Sequence, residues 1–490
     1  MKQRPAAGIL LISAILLILT AGLTGADTFE WQTDGNGNWN DGSNWSRTSG
    51  TSTRTFPDDS SDTAIFGDII TEDRTISIPA AGITVGGLQT GDSSHTYALG
   101  GTGSLSGGNF GWFSLLNGGT VQFDTTASFG TNSTVNGPGT IIVNDQITNT
   151  SFIRFQGGID LEVNSEFQGG HNFRYEGGGQ VLSIGTVSSV TASTNPMQLE
   201  KVTVRAVGAD RSIDDNVLFT ANPGGGNYTF FDGTNGNDLT ITGTTQLQGR
   251  GGRDFRQHLD TATLELAGNV TWTMTGDRSS DLGDRPDAIN LVNNGTLLIS
   301  GSGNTYNDST GDGVNIEGNG NFIVNNTTGS ATGTGNNLWI DSGVTLGGVG
   351  SVSGSNLILR GGTIAPGNST GTLTVGDATF EAGSTYEWEF GDGGSDLLAV
   401  DGNLTIDDDF TIDIVDLHGG PFGTLDLITY TGTLDGDPSL WTINHPPEVS
   451  YSQILGDGGS IRLTGLTPEP TTTLLLTLAG LVLLSGRKRP

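Results

Sequence analysis

Short runs of β-branched and aliphatic residues recur along the chain, each bounded by Gly, Asn, Asp or Ser. The clearest runs begin 20 or 21 residues apart, at Val121, Ile141, Leu161, Val181 and Val202. More loosely spaced runs follow at Leu239, Leu264, Leu297, Phe322, Val344, Leu357 and Leu373. Each run has the length of a short strand, and a fixed spacing of this kind is typical of a repeat architecture.

The spacing favours a coil over a series of separate sheets. Three short strands and three turns use about 20 residues, so one repeat predicts one rung, meaning one turn of a parallel β-solenoid. Inward Val, Ile, Leu and Phe of successive rungs would then form one all-β core. The alternative, a chain of antiparallel sandwiches, predicts strands at roughly 8 to 12 residue spacing joined by hairpin turns.

Composition supports thin walls of strands rather than a thick α/β core. The 490 residues include 80 Gly and only 33% hydrophobic residues. Gly supplies the positive φ angles that tight turns require. The formal net charge is −32, which makes nucleic acid and anionic lipid poor partners because phosphate contact needs a basic face. Divalent cations and neutral or cationic polymers remain open as partners.

The N-terminal segment has the order of a secretory signal peptide. Lys2 and Arg4 precede an apolar stretch from Ile9 to Leu19, and small residues end at Ala26. We predict a signal helix that is removed after Ala26; the alternative is a retained membrane anchor. Export would carry the chain to a compartment where disulfides form, yet it contains no Cys. Burial and backbone pairing, or bound ions, therefore have to stabilise the fold.

The C-terminal segment combines Pro468-Glu469-Pro470, an apolar run from Leu474 to Leu484, and the basic end Arg487-Lys488-Arg489. The uncharged stretch is near the lower limit of the roughly 17 to 25 residues that span a bilayer as a helix, and the basic end favours the cytoplasmic side. This order resembles the PEP-CTERM sorting signal of Gram-negative bacteria. The resemblance implies transit through the inner membrane and cleavage by an exosortase-type enzyme. The alternative is a plain C-terminal anchor.

A second resemblance covers about 90 residues from Val344 onwards. Ala365-Pro366-Gly367-Asn368-Ser369, then Gly371 to Val375, then Asp396, Val400 and Gly402 resemble the pattern of autotransporter-associated β-strand repeat proteins. Thr370 stands where that pattern usually has Pro. The resemblance implies a right-handed parallel β-helix of the autotransporter passenger type.

We divide the chain into a signal peptide (1–26), a Trp-rich N-terminal cap with the first rungs (27–90), solenoid repeats (91–375), C-terminal rungs and cap (376–466), and a sorting and transmembrane segment (467–490). Trp31, Trp39 and Trp45 are expected to plug the first rung, since an open solenoid end exposes its core. The alternative role for these indoles is a sugar-stacking platform. Leu425 to Tyr430, Trp441 and Ile461 to Leu466 are expected to form the C-terminal cap.

Three polar loops have partial features of calcium sites. Asp34 to Asn38 alternates oxygen ligands, but Trp39 replaces the Gly and Trp45 the final Glu of an EF-hand loop. Asp232 to Asp238 and Gly393 to Asp396 partly match the nonapeptide calcium repeat, yet each occurs singly, whereas that fold stacks many copies. We interpret all three as Asx turns and predict no metal or cofactor; weak calcium binding is the alternative.

Catalytic signals are isolated. Gly91-Asp92-Ser93 near His95 matches an esterase block in letters only, because that nucleophile needs a strand-to-helix elbow in an α/β fold. Carboxylates that could serve a polysaccharide lyase or hydrolase are Asp214-Asp215; Asp281, Asp284 and Asp287 near Arg285; and Asp254 among Arg250, Arg253 and Arg256. In so acidic a chain such pairs arise by chance, so no catalytic residue is predicted.

The resulting hypothesis is a non-enzymatic structural or adhesive β-solenoid, exported to the cell surface or extracellular polysaccharide matrix, including biofilm, of a Gram-negative bacterium. Its expected partners are the exosortase-type enzyme and extracellular polysaccharide, without nucleic acid, and with membrane contact only through the terminal segments. The alternative is a carbohydrate-active β-helix enzyme. A carboxylate pair in a groove beside aligned aromatic residues would favour the enzyme.

Overall fold

A computed structural model describes most of the chain between residues 26 and 468. The described ranges are 26–115, 118–129, 133–149, 152–164, 166–169, 172–184, 197–214, 216–220, 228–250, 255–258, 262–267, 270–275, 288–292, 294–301, 305–308, 314–326, 337–417, 423–447 and 449–468. The chain divides into two compact units, residues 1–202 and 203–490.

The first unit is built of short strands with a single turn of 3₁₀ helix at Gly42–Asn44. Its strands are β1 (Thr28–Trp31), β2 (Gly37–Asn38), β3 (Trp45–Ser49), β4 (Thr63–Phe66), β5 (Arg74–Ile78), β6 (Ile83–Thr90), β7 (Thr96–Gly101), β8 (Leu105–Leu115), β9 (Thr120–Phe123), β10 (Ala127–Phe129), β11 (Ser133–Asn136), β12 (Gly139–Val143), β13 (Gln146–Asn149), β14 (Phe152–Gln156), β15 (Ile159–Val163), β16 (Glu166–Gly169), β17 (Asn172–Ile184) and the start of β18 (Met197–Ala206).

The second unit continues with strands and a 3₁₀ turn at Pro438–Leu440. The strands are β19 (Arg211–Ile213), β20 (Val217–Thr220), β21 (Tyr228–Asp232), β22 (Leu239–Ile241), β23 (Thr245–Arg250), β24 (Phe255–His258), β25 (Thr263–Leu266), β26 (Val270–Thr275), β27 (Ala288–Val292), β28 (Thr296–Ile299), β29 (Thr305–Asp308), β30 (Val314–Gly318), β31 (Gly320–Val324), β32 (Asn337–Asp341), β33 (Val344–Gly348), β34 (Ser351–Val352), β35 (Asn356–Arg360), β36 (Thr363–Pro366), β37 (Thr372–Val375), β38 (Ala378–Phe380), β39 (Thr385–Gly391), β40 (Gly394–Ser395), β41 (Leu397–Val400), β42 (Leu404–Ile406), β43 (Thr411–Asp416), β44 (Gly423–Tyr430), β45 (Leu434–Asp435), β46 (Thr442–Asn444), β47 (Val449–Ser450), β48 (Gln453–Asp457) and β49 (Ser460–Pro468).

In the first unit, strands of successive rungs pair in parallel and form three stacks. One stack runs through β9, β12 and β15, where Ile141 lies between Val121 and Leu161. The 20-residue spacing seen in the sequence is therefore the length of one rung, and the parallel solenoid prediction is confirmed. The fourth run is offset by one residue, because Leu182 rather than Val181 pairs with Leu161.

Alternation along each strand separates core from surface. In β12, Ile141 and Val143 are fully buried, while Ile142 between them is partly exposed. Inward aliphatic and aromatic side chains of neighbouring rungs lie in register, as Phe123, Val143 and Val163 do. A period of two residues places every second side chain in the core, which explains why a low overall hydrophobic content is sufficient.

The second unit is also made of parallel stacks. One passes through β22, β25, β28, β31, β33, β36, β39, β43 and β46 in chain order. Its rungs vary in length: Thr345 pairs with Thr363, whereas Thr263 pairs with Thr296. The described strands pair in parallel at both spacings.

Antiparallel pairs occur near both ends of the described chain, and β40 also pairs antiparallel with β39. In the first unit, β3 pairs antiparallel with β1. In the second unit, β49 pairs antiparallel with both β44 and β48. Trp441 is nearly buried and its ring meets Phe410 edge to face at 5.4 Å. Such pairing removes the unpaired backbone groups of an edge strand, which are otherwise templates for aggregation.

The structure does not describe the segments predicted as terminal helices. Residues 1–25 and 469–490 lie outside the described ranges. Among the described residues, no helix has the length and apolar character to cross a membrane. The signal helix and the C-terminal helix therefore stay predictions, as do the segment boundaries at residues 26, 90, 375 and 466.

Candidate functional site

A row of threonines follows the outer face of the second unit. In the stack from β25 to β46, one partly or fully exposed residue near the start of each strand pairs directly with its counterpart on the next rung. We call this row the threonine ladder: Thr263, Thr296, Asn321, Thr345, Thr363, Thr385, Thr411 and Thr442. Adjacent members are separated by the roughly 4.8 Å between neighbouring strands.

The ladder side chains face solvent. Thr345, Thr363, Thr385 and Thr411 are partly exposed and Thr442 is exposed. Within the described part of the chain, the hydroxyl groups of the first four have no protein hydrogen-bond partner. They are therefore available to water or to a ligand. Because the ladder repeats a hydroxyl group on successive rungs from Thr345 to Thr442, it can make several equivalent weak contacts with an extended partner.

A second outward row, two residues further along the same strands, adds acidic groups. Glu387 pairs directly with Asp413 on the next rung, and Glu389 follows on the same strand as Glu387. Partial burial, with Glu389 and Asp413 next in importance, raises the pKa of Glu387. Like charges directly opposite each other destabilise a sheet. Because Glu387, Glu389 and Asp413 also make this part of the outer face acidic, it favours neutral or cationic partners.

In the second loop considered as a calcium site, Asp232 to Asp238, both carboxylates accept hydrogen bonds from other parts of the protein. Asp232 accepts hydrogen bonds from Arg205 Nε at 3.0 Å and from the backbone N–H of Thr234 at 3.0 Å. Asp238 accepts from the backbone N–H of Thr263 on the next rung at 2.6 Å. These carboxylates link neighbouring rungs, and the interpretation as turn-forming residues accounts for them without an ion.

Asp34 and Asn36 also bond to the protein, but to residues 37 to 40 positions away, so these bonds are not those of the predicted Asx turn. The Asp34 carboxylate accepts from the backbone N–H of Thr71 at 3.0 Å and from Arg74 Nη2 at 2.8 Å. Asn36 Oδ1 accepts from the backbone N–H of Thr75 at 2.8 Å. The bonds from Arg74 and Thr71 lower the pKa of Asp34 to about 2. No group of three or more His, Cys, Asp or Glu among the described residues is arranged to hold a metal ion.

Asp396 closes the third loop and is fully buried. Its Oδ1 accepts from the backbone N–H of Gly371 and its Oδ2 from that of Glu389, both at 2.9 Å. Its own carbonyl accepts from Trp388 Nε1 at 2.8 Å. Burial outweighs the two backbone hydrogen bonds and raises the pKa of Asp396 to about 7. Asp396 thus ties β39 to the loop before β37.

The Gly91-Asp92-Ser93 motif and His95, which match an esterase block in sequence, do not form a catalytic group. Asp92 is buried and its Oδ1 accepts from the backbone N–H groups of Ser94 and His95 at 2.8 and 3.1 Å, as in an Asx turn. Its Oδ2 lies 3.3 Å from His95 Nδ1, while Ser93 is exposed on the turn.

Most of the other catalytic candidates cannot be placed. Asp214 is exposed and accepts from Thr242 Oγ1 at 2.7 Å. The remaining candidates lie outside the described residues or side chains: Asp215, Arg250, Arg253, Asp254, Arg256, Asp281, Asp284, Arg285 and Asp287.

The three tryptophans of the N-terminal cap are packed together. Trp31 and Trp39 are fully buried and Trp45 is 7% exposed. The ring of Trp45 lies 5.1 Å from Trp31 and 5.0 Å from Trp39, and Phe66 packs against all three. Each indole N–H donates to a backbone carbonyl at 2.7 Å. The three indoles therefore pack in the interior, and their buried ring faces contradict the sugar-stacking role. That they plug the first rung stays a prediction.

The predicted sorting signal lies almost wholly outside the described residues. Pro468 is the last residue of β49. The other five residues, Glu469, Pro470, Arg487, Lys488 and Arg489, fall in 469–490 and have no described structure. Their role stays a prediction.

Comparison with known proteins finds a partial similarity to an adhesin. A stretch of 89 residues is 39% identical to the adhesin BmaC autotransporter of Brucella suis biovar 1 (strain 1330). The match covers 16% of this chain and 2% of the adhesin. No family model matches the chain. With the parallel stacks, the match fits an autotransporter-like β-helix region, and the small coverage leaves the activity of the adhesin outside what the comparison shows.

The threonine ladder was not predicted from the sequence. Its members stand just before the hydrophobic runs, as in Thr-Leu-Glu-Leu at 263–266 and Thr-Ile-Asp-Ile at 411–414. The variable rung length hides their alignment, because no constant period brings them together. A search for Thr immediately before each predicted strand would have found most of them.

Proposed function

We propose that this chain is a non-enzymatic adhesive or structural β-solenoid of the bacterial cell surface or extracellular polysaccharide matrix. The observation that carries the proposal is the threonine ladder, in which Thr345, Thr363, Thr385 and Thr411 present unbonded hydroxyl groups on successive rungs. Such a row suits multivalent weak binding of an extended neutral polymer. The partial similarity to an autotransporter adhesin supports the same role. The coil is expected to be right-handed, as parallel crossover connections almost always are.

The route of delivery belongs to the same proposal. The signal peptide takes the chain across the inner membrane of a Gram-negative bacterium, and an exosortase-type enzyme cleaves near Pro468-Glu469-Pro470. The basic cluster Arg487 to Arg489 holds the tail on the cytoplasmic side until cleavage. The motif order supports this route, and extracellular polysaccharide is the proposed partner at its end.

The test compares two triple variants of the ladder. Substituting Val for Thr345, Thr363 and Thr385 removes three hydroxyl groups and keeps the β-branched shape. Substituting Ser at the same positions keeps the hydroxyl groups. Binding of each purified full-length chain to extracellular polysaccharide isolated from the host is measured by co-sedimentation, with thermal unfolding as the check on folding.

We expect the Val variant to lose at least tenfold in apparent affinity and the Ser variant to stay close to the parent chain. Equal binding by the Val variant would contradict the adhesive role of the ladder. Release of new reducing ends or unsaturated sugars from the polymer by the parent chain would contradict the non-enzymatic role.

A further inference from the structure

A cleft of about 360 Å³ lies beside the N-terminal cap, inside the first unit. Its volume is near the lower end of the roughly 300–1,000 Å³ of small-molecule sites. The side chains that define its chemistry are Asn40, Phe56, Asp58, Thr84, Ser104 and Ser106. The cleft thus combines one aromatic ring with an amide, a carboxylate and three hydroxyl groups. A second cavity in this unit, of about 40 Å³, is apolar and too small for such a ligand.

One wall of the cleft is a loop fixed to the core. Phe56 and Asp58 stand on either side of Pro57, whose carbonyl accepts the buried Trp39 Nε1–H at 2.7 Å. The backbone N–H of Asp58 donates to the buried carboxylate of Asp62 at 3.2 Å. Both anchors hold the loop backbone and leave Phe56 partly exposed. A ligand would therefore meet a preorganised wall, which reduces the entropy lost on binding.

The facing wall comes from paired strands. Thr84 of β6 and Ser106 of β8 are directly opposite in the parallel register, so their outward side chains are neighbours. The backbone N–H of Ile83 donates to the carbonyl of Ser104 at 2.9 Å. Gly82, at φ 74°, approaches that carbonyl so closely that an added Cβ would lie 3.1 Å from it. A larger residue at position 82 would strain this wall and fill the cleft.

We infer that this cleft binds a neutral sugar unit, a hexose or an N-acetylhexosamine, at the end or branch of a polysaccharide. A pyranose ring has an apolar face that fits the ring of Phe56 and a rim of hydroxyl groups that fits the carboxylate, amide and hydroxyl groups around it. Anionic sugars are disfavoured because Asp58 lines the cleft, and because the neighbouring cation Arg54 is already engaged by Asp58, Asp59 and Asp62. The inference rests on the proposed function, since it names a sugar-binding site for the proposed polysaccharide partner.

The single carboxylate among the lining residues of the cleft indicates binding of a sugar rather than its cleavage. Among the lining residues only Asp58 carries a carboxylate, whereas glycoside hydrolysis uses a pair of carboxylates that flank the bond to be broken. Arg54 Nε lies 3.7 Å from Asp58 Oδ1, so part of that single carboxylate is already engaged. The cleft has no second acid or base at the position that hydrolysis needs.

The test is saturation-transfer difference NMR on the full-length chain with glucose, N-acetylglucosamine and glucuronate as separate probes. We expect saturable binding of the two neutral sugars at a dissociation constant of about 1 mM, typical of one small contact surface. Phe56→Leu should weaken it at least tenfold, because it keeps apolar volume but removes the flat face, whereas Phe56→Tyr should retain it. Leu440→Ala, an exposed site in the second unit, is the matched control.

The folded state of each variant is checked by the Trp39 indole N–H resonance, which reports the bond to Pro57. Preference for glucuronate, equal binding by Phe56→Leu with the resonance unchanged, or no saturable signal into the tens of millimolar would each overturn the inference. Asp58→Asn should raise the affinity for glucuronate, and no change would contradict the charge argument.

The two proposals fail separately. Loss of polymer binding by the ladder variant with no effect of Phe56→Leu on sugar binding would remove the cleft alone. The reverse result would remove the adhesive role of the ladder and leave the cleft.

Discussion

Asp396 provides the sharpest test of how polar groups hold the rungs together. Its carboxyl group is fully buried, accepts two backbone hydrogen bonds, and has a pKa raised from 3.8 to about 7, chiefly by burial. A raised pKa means that the folded state binds a proton more tightly than the unfolded state. The contribution of the protonated Asp396 carboxyl group to the free energy of unfolding is fully present below about pH 3.8 and is lost as the pH rises through about 7. The difference between the two pKa values corresponds to about 4 kcal/mol.

The perturbation is Asp396→Ala, which leaves the N–H groups of Gly371 and Glu389 without their acceptor. Each unsatisfied buried group costs about 1–3 kcal/mol. Denaturant unfolding is followed at about pH 4.5 and about pH 7.5, on either side of most of the titration. We expect the variant to have a lower free energy of unfolding than the parent chain at both pH values. The difference should be larger at about pH 4.5 and smaller by a few kcal/mol at about pH 7.5.

The comparison variant is Asp377→Ala. Asp377 also accepts a backbone N–H of the next rung, that of Asn403 at 2.6 Å, but it is exposed. Its loss should cost about 1 kcal/mol, as for an ordinary hydrogen bond. The difference in free energy of unfolding between the Asp396 variant and the parent chain should fall as the pH rises. A difference that stays constant or grows with pH would refute the reasoning about the buried carboxyl group.

Three further predictions concern the core, ions and processing. Val143→Asn should lower stability by about 3–5 kcal/mol, from lost apolar burial and an unsatisfied amide, while Ile142→Asn on the outer face should cost less than about 1 kcal/mol in the same urea titration; equal effects would reverse the assigned faces. Calcium and magnesium at matched ionic strength should raise the melting temperature equally, because Asp34 is already occupied by Arg74, and a preference for micromolar calcium would restore the loop as a metal site. Mass spectrometry of protein from the host surface should find no peptide containing Leu474 to Leu484; an intact tail would leave only a membrane anchor.

The regular part of the fold could be read from the sequence because its rungs have equal length. Val121, Ile141 and Leu161 are 20 residues apart and lie side by side. Where the connecting loops change length, as between Thr263 and Thr296, the hydrophobic runs still identify strands but no longer give their register. Pairing partners then depend on the three-dimensional coil, which a local pattern does not contain.

The polar loops were harder to interpret for a chemical reason. The oxygen atoms of Asp34 and Asp232 would serve equally well as calcium ligands or as acceptors for backbone N–H groups. Their actual partners lie far away in the chain: Thr71 is 37 residues from Asp34, and Arg205 is 27 residues from Asp232. The sequence shows the acceptors but hides the donors, so the two readings could not be separated before the rungs were stacked.

The ladder and the cleft should respond differently to changes in the loops. In the second unit, each threonine is positioned by backbone pairing and by the buried residue that follows it, so rungs as different as Thr345–Thr363 and Thr263–Thr296 keep the same alignment. Extra loop length costs little closure entropy, roughly 0.6 kcal/mol per doubling, and leaves the ladder in place. The cleft instead depends on one loop held by the Trp39 to Pro57 bond. An insertion next to Pro57 should therefore abolish small-sugar binding, whereas an insertion between β25 and β28 should leave polymer binding intact.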